Sequence, residues 1–302
     1  MLAGLLAACG STSHQTQTPV RKPPAPREPL PAAQASLRNC INRPSACGYP
    51  DRSNTGVPSV IALKPTSGIT VTHRGAVLSG LDVNGSIQVN ADDVTITRSR
   101  VTSSGSTGHN IVIAPGVSGT VIEDTTLRGR DAHAGAVQYS VINEGTFRTL
   151  GRRLQMYNCS TCWAGPGTLQ DSYAISDAVI VGAHYEPVYY GGRAGPLVLQ
   201  RNTLLNPHEQ TADVFAGNDY GDQTGLEITG NLMAGGDFMI YGGAGPNAFG
   251  RATRDVTIKG NRFSNVYWPH GGQYGVAASV NPAVTMWSGN YWDATGRTQR
   301  EP

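Results

Sequence analysis

The chain has 302 residues and a formal net charge of +2, and only 15% of its residues are charged, against about 25% in an average soluble domain. Glycine supplies 38 residues, roughly twice its usual share of about 7%, and Val, Ile and Thr are plentiful. Such a composition points to short strands joined by tight turns. No long stretch alternates Leu with Glu and Lys at helical spacing, so helices are expected to be scarce. No basic run stands out, so nucleic acid is not an expected partner.

In chain order, the first segment reads Met1-Leu-Ala-Gly-Leu-Leu-Ala-Ala-Cys9, an apolar run too short to span a bilayer. Small residues precede the cysteine, as before the cleavage point of a secretory signal. Leu6-Ala7-Ala8-Cys9 matches the lipobox pattern of bacterial lipoproteins. Residues 1–9 are therefore expected to be a lipoprotein signal segment, with Cys9 the lipidated residue. The protein would be extracellular, anchored to the bacterial membrane through lipid alone. No basic segment precedes Leu2, which leaves two alternatives, a start further upstream or an ordinary frayed terminus. Residues 10–36 carry Ser, Thr and Gln, then Pro19, Pro23, Pro24, Pro26, Pro29 and Pro31, a linker that cannot bury a core. That leaves residues 37–302 as one domain.

Beyond Cys9 the sequence holds four more cysteines, Cys40, Cys47, Cys159 and Cys162. An even number in an exported chain suggests two local disulfides, Cys40–Cys47 and Cys159–Cys162. A metal or redox site at Cys159-Ser-Thr-Cys162 is the rival reading. It lacks a second ligand pair and a βαβ context.

The body repeats. Val94-Thr-Ile-Thr-Arg-Ser-Arg-Val101, Leu197-Val-Leu-Gln-Arg-Asn-Thr-Leu204 and Leu226-Glu-Ile-Thr-Gly-Asn-Leu-Met233 share one pattern. So do Val256-Thr-Ile-Lys-Gly-Asn-Arg-Phe263 and Thr285-Met-Trp-Ser-Gly-Asn-Tyr-Trp292, with weaker copies at 76–83 and 120–127. Asn recurs at 202, 231, 261 and 290. A fixed period of strand-sized, alternating units means a β-solenoid whose coils bury their apolar edges against each other. The predicted fold is all-β, a single-domain right-handed parallel β-helix. Its four Asn side chains would form an internal hydrogen-bonded ladder.

The Gly-Asn-x-apolar repeat resembles the pectate-lyase-like right-handed β-helix superfamily over roughly residues 48–296. More narrowly, Gly48-Tyr-Pro-Asp-Arg-Ser-Asn-Thr-Gly-Val-Pro58, His184-Tyr-Glu-Pro-Val-Tyr-Tyr-Gly-Gly192 and Asn206-Pro-His-Glu-Gln-Thr-Ala-Asp213 resemble segments of exported actinobacterial β-helix proteins of unsettled activity. The superfamily resemblance implies action on polysaccharide, by lyases, glycoside hydrolases, epimerases or spike depolymerases. Fold alone does not choose among them. The metal-ligand clusters and pairing arginines of calcium-dependent pectate lyases are not recognisable.

A second periodic signal falls midway between the Asn turns, at Val188-Tyr-Tyr-Gly191, Val214-Phe-Ala-Gly217 and Met239-Ile-Tyr-Gly242, with Tyr274-Gly-Val276 as a looser member. Equivalent positions on successive coils lie about 4.8 Å apart, so these segments line one strip. Around it gather His184, Tyr185, Glu186, Tyr189, Tyr190, Arg193, Asp213, Asp219, Tyr220, Asp222, Asp237, Tyr241, Trp268, His270 and Tyr274. Aromatic faces with interspersed acids suit sugars, so a polysaccharide is the expected partner. Tyr189, Tyr190, Arg193, Asp219, Tyr241, Trp268, His270 and Tyr274 are the expected binding residues.

For a lyase, His184 with Tyr185 or Tyr241 would serve as base and acid. Arg193 or an acid-held divalent cation would neutralise a substrate carboxylate; no cofactor is otherwise implied, and no protein metal site is expected. For a hydrolase, Glu186, Asp213 and Asp237 would supply the carboxylate pair. A glycan-binding or structural β-helix, of the cell surface or of phage origin, remains the alternative.

Overall fold

The computed structural model describes residues 38–191, 195–244 and 250–302; the expected signal segment, Cys9, the linker and Arg193 lie outside these residues. The described chain winds into a parallel β-helix of three faces. Nine parallel strands, from Val77–Ser79 to Thr285–Ser288, form the first face. The other two faces make one 17-stranded sheet, because Lys64–Val71 and Leu81–Val89 run across both. The second face then continues from Arg100–Ser103 to Tyr291–Trp292, and the third from Gly105–Ile113 to Gly275–Ala278. One hydrophobic cluster runs through the coils from Val71 to Ala277.

The turn from the first to the second face repeats in backbone and in chemistry. Its αL position is filled by Arg98, Asp124, Arg153, Asp171 and Arg201, then by Gly230, Gly260 and Gly289, with φ between 49° and 64°. A side chain there costs about 1–2 kcal/mol relative to glycine. The five coils that carry side chains alternate in charge. Arg153 Nε and NH2 donate to Asp124 at 2.6 and 2.7 Å, and Arg201 pairs with Asp171 at 2.8 and 2.7 Å. Bidentate geometry of this kind offsets part of the strain.

The residue that follows each turn points inward. Asn202, Asn231, Asn261 and Asn290 are fully buried there, and the Nδ2 of each of the first three donates to the next Oδ1 at 3.0 Å. The Oδ1 of each of the last three also accepts the backbone N–H of the preceding Asn, and each Nδ2 reaches a carbonyl of the coil before, such as Leu199 O. The predicted ladder is therefore present. It extends through Ser172, whose N–H donates to Asn202 Oδ1, breaks at Leu154, and resumes at Thr125 and Ser99.

Residues 38–57 form a strap over the outside of the second face. Cys40–Cys47 is disulfide-bonded with Cα atoms 5.7 Å apart, and so is Cys159–Cys162. The latter pair is wholly buried in the core, which leaves no open metal or redox site at those sulfurs. Asp293 fastens the strap. Its carboxylate accepts the N–H groups of Cys40 and Ile41 at 2.9 and 3.0 Å and pairs with buried Arg262 at 2.9 Å. Further along, the Arg52 guanidinium lies over the Tyr157 ring at 4.7 Å. The strap can pass Thr126 only as glycine: a Cβ on Gly56, at φ +75°, would stand 2.4 Å from Thr126 Oγ1. At the far end, Thr298 bridges back to Tyr291 and Trp287 Nε1 donates to Gln299 O, so the tail folds over the last coil.

Candidate functional site

Strand alternation is broken on the third face, and the break decides what the site contains. Two consecutive residues per strand enter the core, as with Cys162 and Trp163, Met239 and Ile240, and Val276 and Ala277. The residues that flank each inward pair project the other way. Register stacks them into two columns. One runs Thr161, Glu186, then Ala212, Phe238, Gly275; the other runs Ala164, Tyr189, Phe215, Tyr241, Ala278. The periodic segments recognised in the sequence do meet here, with Val188 opposite Val214. Ile240 rather than Met239 lies opposite Val214, a shift of one residue.

The second column is an aromatic strip. Tyr189 stacks on Phe215 with ring centroids 6.2 Å apart, and Phe215 meets Tyr241 edge-on at 5.4 Å. Phe238 joins from the first column, 5.3 Å from Tyr241 and 5.9 Å from Tyr274. Tyr274 is 66% exposed. A further pocket opens beside Tyr189, lined by Tyr139, Glu144, Ala164, Gly191 and Tyr220. Four successive coils thus present rings along the axis, over about 14 Å at one strand spacing per coil.

Carboxyl groups flank the rings. Tyr189 Oη donates to Asp219 Oδ2 at 2.5 Å, and Asp219 is exposed. Burial, and then the Asp219 bond, raise the Tyr189 pKa. Burial likewise raises Tyr241, helped by the negative charge of partly exposed Asp237. Glu186 is 4% exposed; its Oε1 accepts the Thr161 hydroxyl at 2.8 Å, while Oε2 has no partner. Its carboxyl is pushed up to about 8, mainly by burial and further by the charge of Asp219, against the opposing Thr161 bond. At neutral pH Glu186 is mostly a protonated acid.

Several expected site residues are elsewhere. Asp213 was expected beside Glu186 in a groove. It lies instead in the inward column opposite Met239, wholly without exposure, and neither carboxyl oxygen makes a well-formed hydrogen bond. Burial raises its pKa well above the carboxylate range, only weakly opposed by the backbone amides of Ala234 and Asn206. Tyr190 is also inside the coil; its hydroxyl donates to Gly195 O at 2.5 Å, and burial raises it to about 12. Neither can touch a glycan at the surface.

Tyr185 fastens a corner loop: its hydroxyl bonds Ile180 O and N at 2.7 and 3.0 Å, and its ring stacks on His208 at 3.9 Å. A tyrosine so occupied is not a free catalytic acid. His184 is exposed at the same corner, its Nδ1 3.5 Å from Thr211 Oγ1. Trp268 and His270 belong to the 265–274 hairpin, where Gly271 N–H donates to Trp268 O at 3.0 Å. The expected sites thus divide. Glu186, Tyr189, Asp219, Asp237, Tyr241 and Tyr274 meet along the strip, whereas Asp213, Tyr190 and Tyr185 do not contribute to it.

Comparisons of the chain with protein-family models, with curated proteins and with solved structures found no match. The functional reading therefore stands on the strip itself. Phe215, Phe238 and Tyr139 belong to it although sequence reasoning did not select them. Phe215 was legible, since it occupies the place of Tyr189 in the repeated Val-aromatic segment. Phe238 was not, because only the doubled inward step turns it outward.

Proposed function

We propose that the protein is an exported, surface-anchored β-helix that binds and acts on polysaccharide, with a glycan chain lying along the aromatic strip. The observation that carries this reading is the unbroken run of outward rings, Tyr189, Phe215, Tyr241, Phe238 and Tyr274, on adjacent coils. Aromatic rings offer large, rigid apolar area at little entropic cost and keep a polar edge for hydroxyls. A run of such length suits an extended oligomer better than a single small molecule. Kinship with the pectate-lyase-like superfamily belongs to the same proposal and is supported by the parallel coils and the Gly-Asn turns. Export is supported by the two disulfides, which persist in oxidising compartments, and lipid anchoring by Leu6-Ala7-Ala8-Cys9.

The test is glycan binding by the described domain across a polysaccharide panel. Tyr189→Ala and Tyr241→Ala should each weaken the bound glycan at least about fivefold, near 1 kcal/mol per ring. Phe147→Ala, which removes a half-exposed ring elsewhere, should leave affinity unchanged. Parental affinity in both strip variants, or no retention of any glycan, would sink the reading. Polysaccharide degradation is a further part of the proposal, and the free carboxyl oxygen of Glu186 is the observation that favours it. Release of new reducing ends or of unsaturated uronates separates hydrolase from lyase, and product release of either kind separates an enzyme from a binder.

A further inference from the structure

We infer that the open end of the helix, at its first coil, is an interface where two copies of the chain meet head to head about a two-fold axis. The inference goes beyond the glycan strip and uses none of its residues.

The two ends of the helix are finished differently. At the last coil the tail closes the edge, through the Tyr291–Thr298 bridge and the bond from Trp287 Nε1 to Gln299 O. At the first coil, among the described residues, Lys64–Val71 pairs only with Leu81–Val89, and Val77–Ser79 only with Thr95–Thr97. Each strand therefore keeps one edge unpaired. Val71 O accepts the N–H of Asn90, and Lys64 N–H donates to Gly80 O, so strand alternation turns the backbone groups of Ser67 and Thr70 to the open side. Ala76 O and Gly80 N–H likewise bond the coil beneath, which leaves Val77 and Ser79 facing out along the axis. Behind these edges Ile69, Ala76, Leu78 and Leu81 pack on the core but are only partly buried. Exposed edges are usually blunted by Lys, Pro or a covering segment. Here Lys64 and Pro65 stand at the very start, while Thr66 to Thr72 and Gly75 to Gly80 hold no charge and no proline.

The shape of the edge selects a second copy. Lys64–Val71 turns the corner between the second and third faces at Gly68, which stands against Gly85 and Ser86. Val77–Ser79 lies on the first face, opposite that corner. One two-fold axis through the corner and through Leu78 sets both edges antiparallel to themselves. Ser67 then lies opposite Thr70 of the second copy, and Val77 opposite its Ser79, so outward backbone groups meet outward backbone groups. The two Lys64 ammonium groups fall on opposite rims, farther apart than the screening length of about 10 Å. A single strand from another protein covers one of these edges, not both. The tail blocks head-to-tail stacking, so association closes at two. Residues 1–37 join at Arg38, which lies against Gly296 at the far end. Nine first-face strands put that end about 38 Å away. Six of those residues, between 19 and 31, are prolines with no N–H to give an edge.

The experiment is sedimentation equilibrium of the full chain, as its Cys9→Ser form to keep lipid out of the measurement, from micromolar to millimolar concentration. The mass should rise from one chain to two and no further. Thr70→Pro removes only an outward donor, and Val77→Glu, at a side chain 65% exposed, sets two carboxylates roughly 7 Å apart on a cross-strand diagonal. Each should weaken association at least about tenfold, because the axis counts every substitution twice, with thermal unfolding at the parental temperature. Val77→Glu carries the test if Thr70→Pro does not fold. Val77→Lys should weaken association in the same way, and mixing it with Val77→Glu should restore the two-chain species, which a damaged coil could not do. A chain that stays single at every concentration overturns the inference, whatever else covers the end. So does growth beyond two, a two-chain species that Val77→Glu leaves undiminished, or no recovery in the mixture.

Discussion

Asp213 makes the most decisive test of the architecture. Its side chain shares the inward column with Met239 and is wholly excluded from solvent without a well-formed hydrogen bond. Burial therefore holds the folded-state carboxyl protonated well above the range in which an unfolded chain ionises. The sign of the linkage follows. Below about pH 4 both states are protonated and the group has no effect. As pH rises, the unfolded chain releases this proton while the folded chain keeps it, so stability falls by about 1.4 kcal/mol per pH unit. The loss continues until the folded carboxyl itself ionises.

Asp213→Asn keeps the shape and removes the titration. Between pH 5 and 7 the parental protein should lose stability relative to this variant, at about 1.4 kcal/mol per pH unit over whatever part of that range the folded carboxyl stays protonated, which at about 2–4 °C in Tm per kcal/mol is readily measured. Glu186 loses stability with the same sign, from the ordinary carboxylate range up to about 8, but it does so in both proteins and cancels in the difference. Thermal or urea unfolding of the pair at pH 5, 6 and 7 reads the effect. A parent-to-variant gap that stays constant across that range would refute the placement of Asp213 inside the coil.

Asn231→Leu leaves Asn202 N–H and Nδ2 without their shared acceptor and removes the side-chain donor of the two that Asn261 Oδ1 accepts; it should cost at least about 1–3 kcal/mol in urea unfolding, and parental stability would argue against the ladder. Asp293→Ala strands the buried Arg262 charge and frees two strap N–H groups. It should destabilise by about 3–5 kcal/mol and expose residues 38–57 to limited proteolysis, and a protease-resistant strap would contradict the role given to Asp293. Cys9→Ser should move the protein from the membrane fraction into the medium, because lipid chains supply the affinity; unchanged fractionation would rule out the anchor.

The fold was legible because its two strongest signals are strictly periodic. Gly-Asn at the first turn fixes an αL residue and an inward amide on each of the last coils, and that pair can be read without coordinates. The earlier coils use other chemistry for the same geometry. Arg153 takes the αL position where Gly230 stands later, and Leu154 and Ser172 take the Asn place. Two coils therefore went uncounted in the sequence, although they stack in the same register as the rest. What holds those αL residues is the alternation of Arg and Asp from coil to coil, a relation between positions some thirty residues apart that a local pattern does not show.

The site was less legible for a reason that lies in one backbone feature. A strand read at period two sends Glu186, Val188 and Tyr190 to one face, and Asp213 with Phe215 to the other. The strands of the third face instead turn two neighbours inward, so Glu186 and Tyr189 share the outside while Asp213 enters the core between them in register. Parity fails at that step, and Asp213, a member of the inward pair, is the acid it takes out of the groove. The same step explains why a strip can form at all. By sending residues three apart to the same side, it gives each coil two outward columns, and rings from both columns, Phe238 and Tyr241, can then pack edge to face at 5.3 Å. A regularly alternating strand would have spaced its outward residues by two and put Met239 at the surface in the place of one ring. The irregularity that misplaced Asp213 in the sequence is thus the device that assembles the aromatic surface.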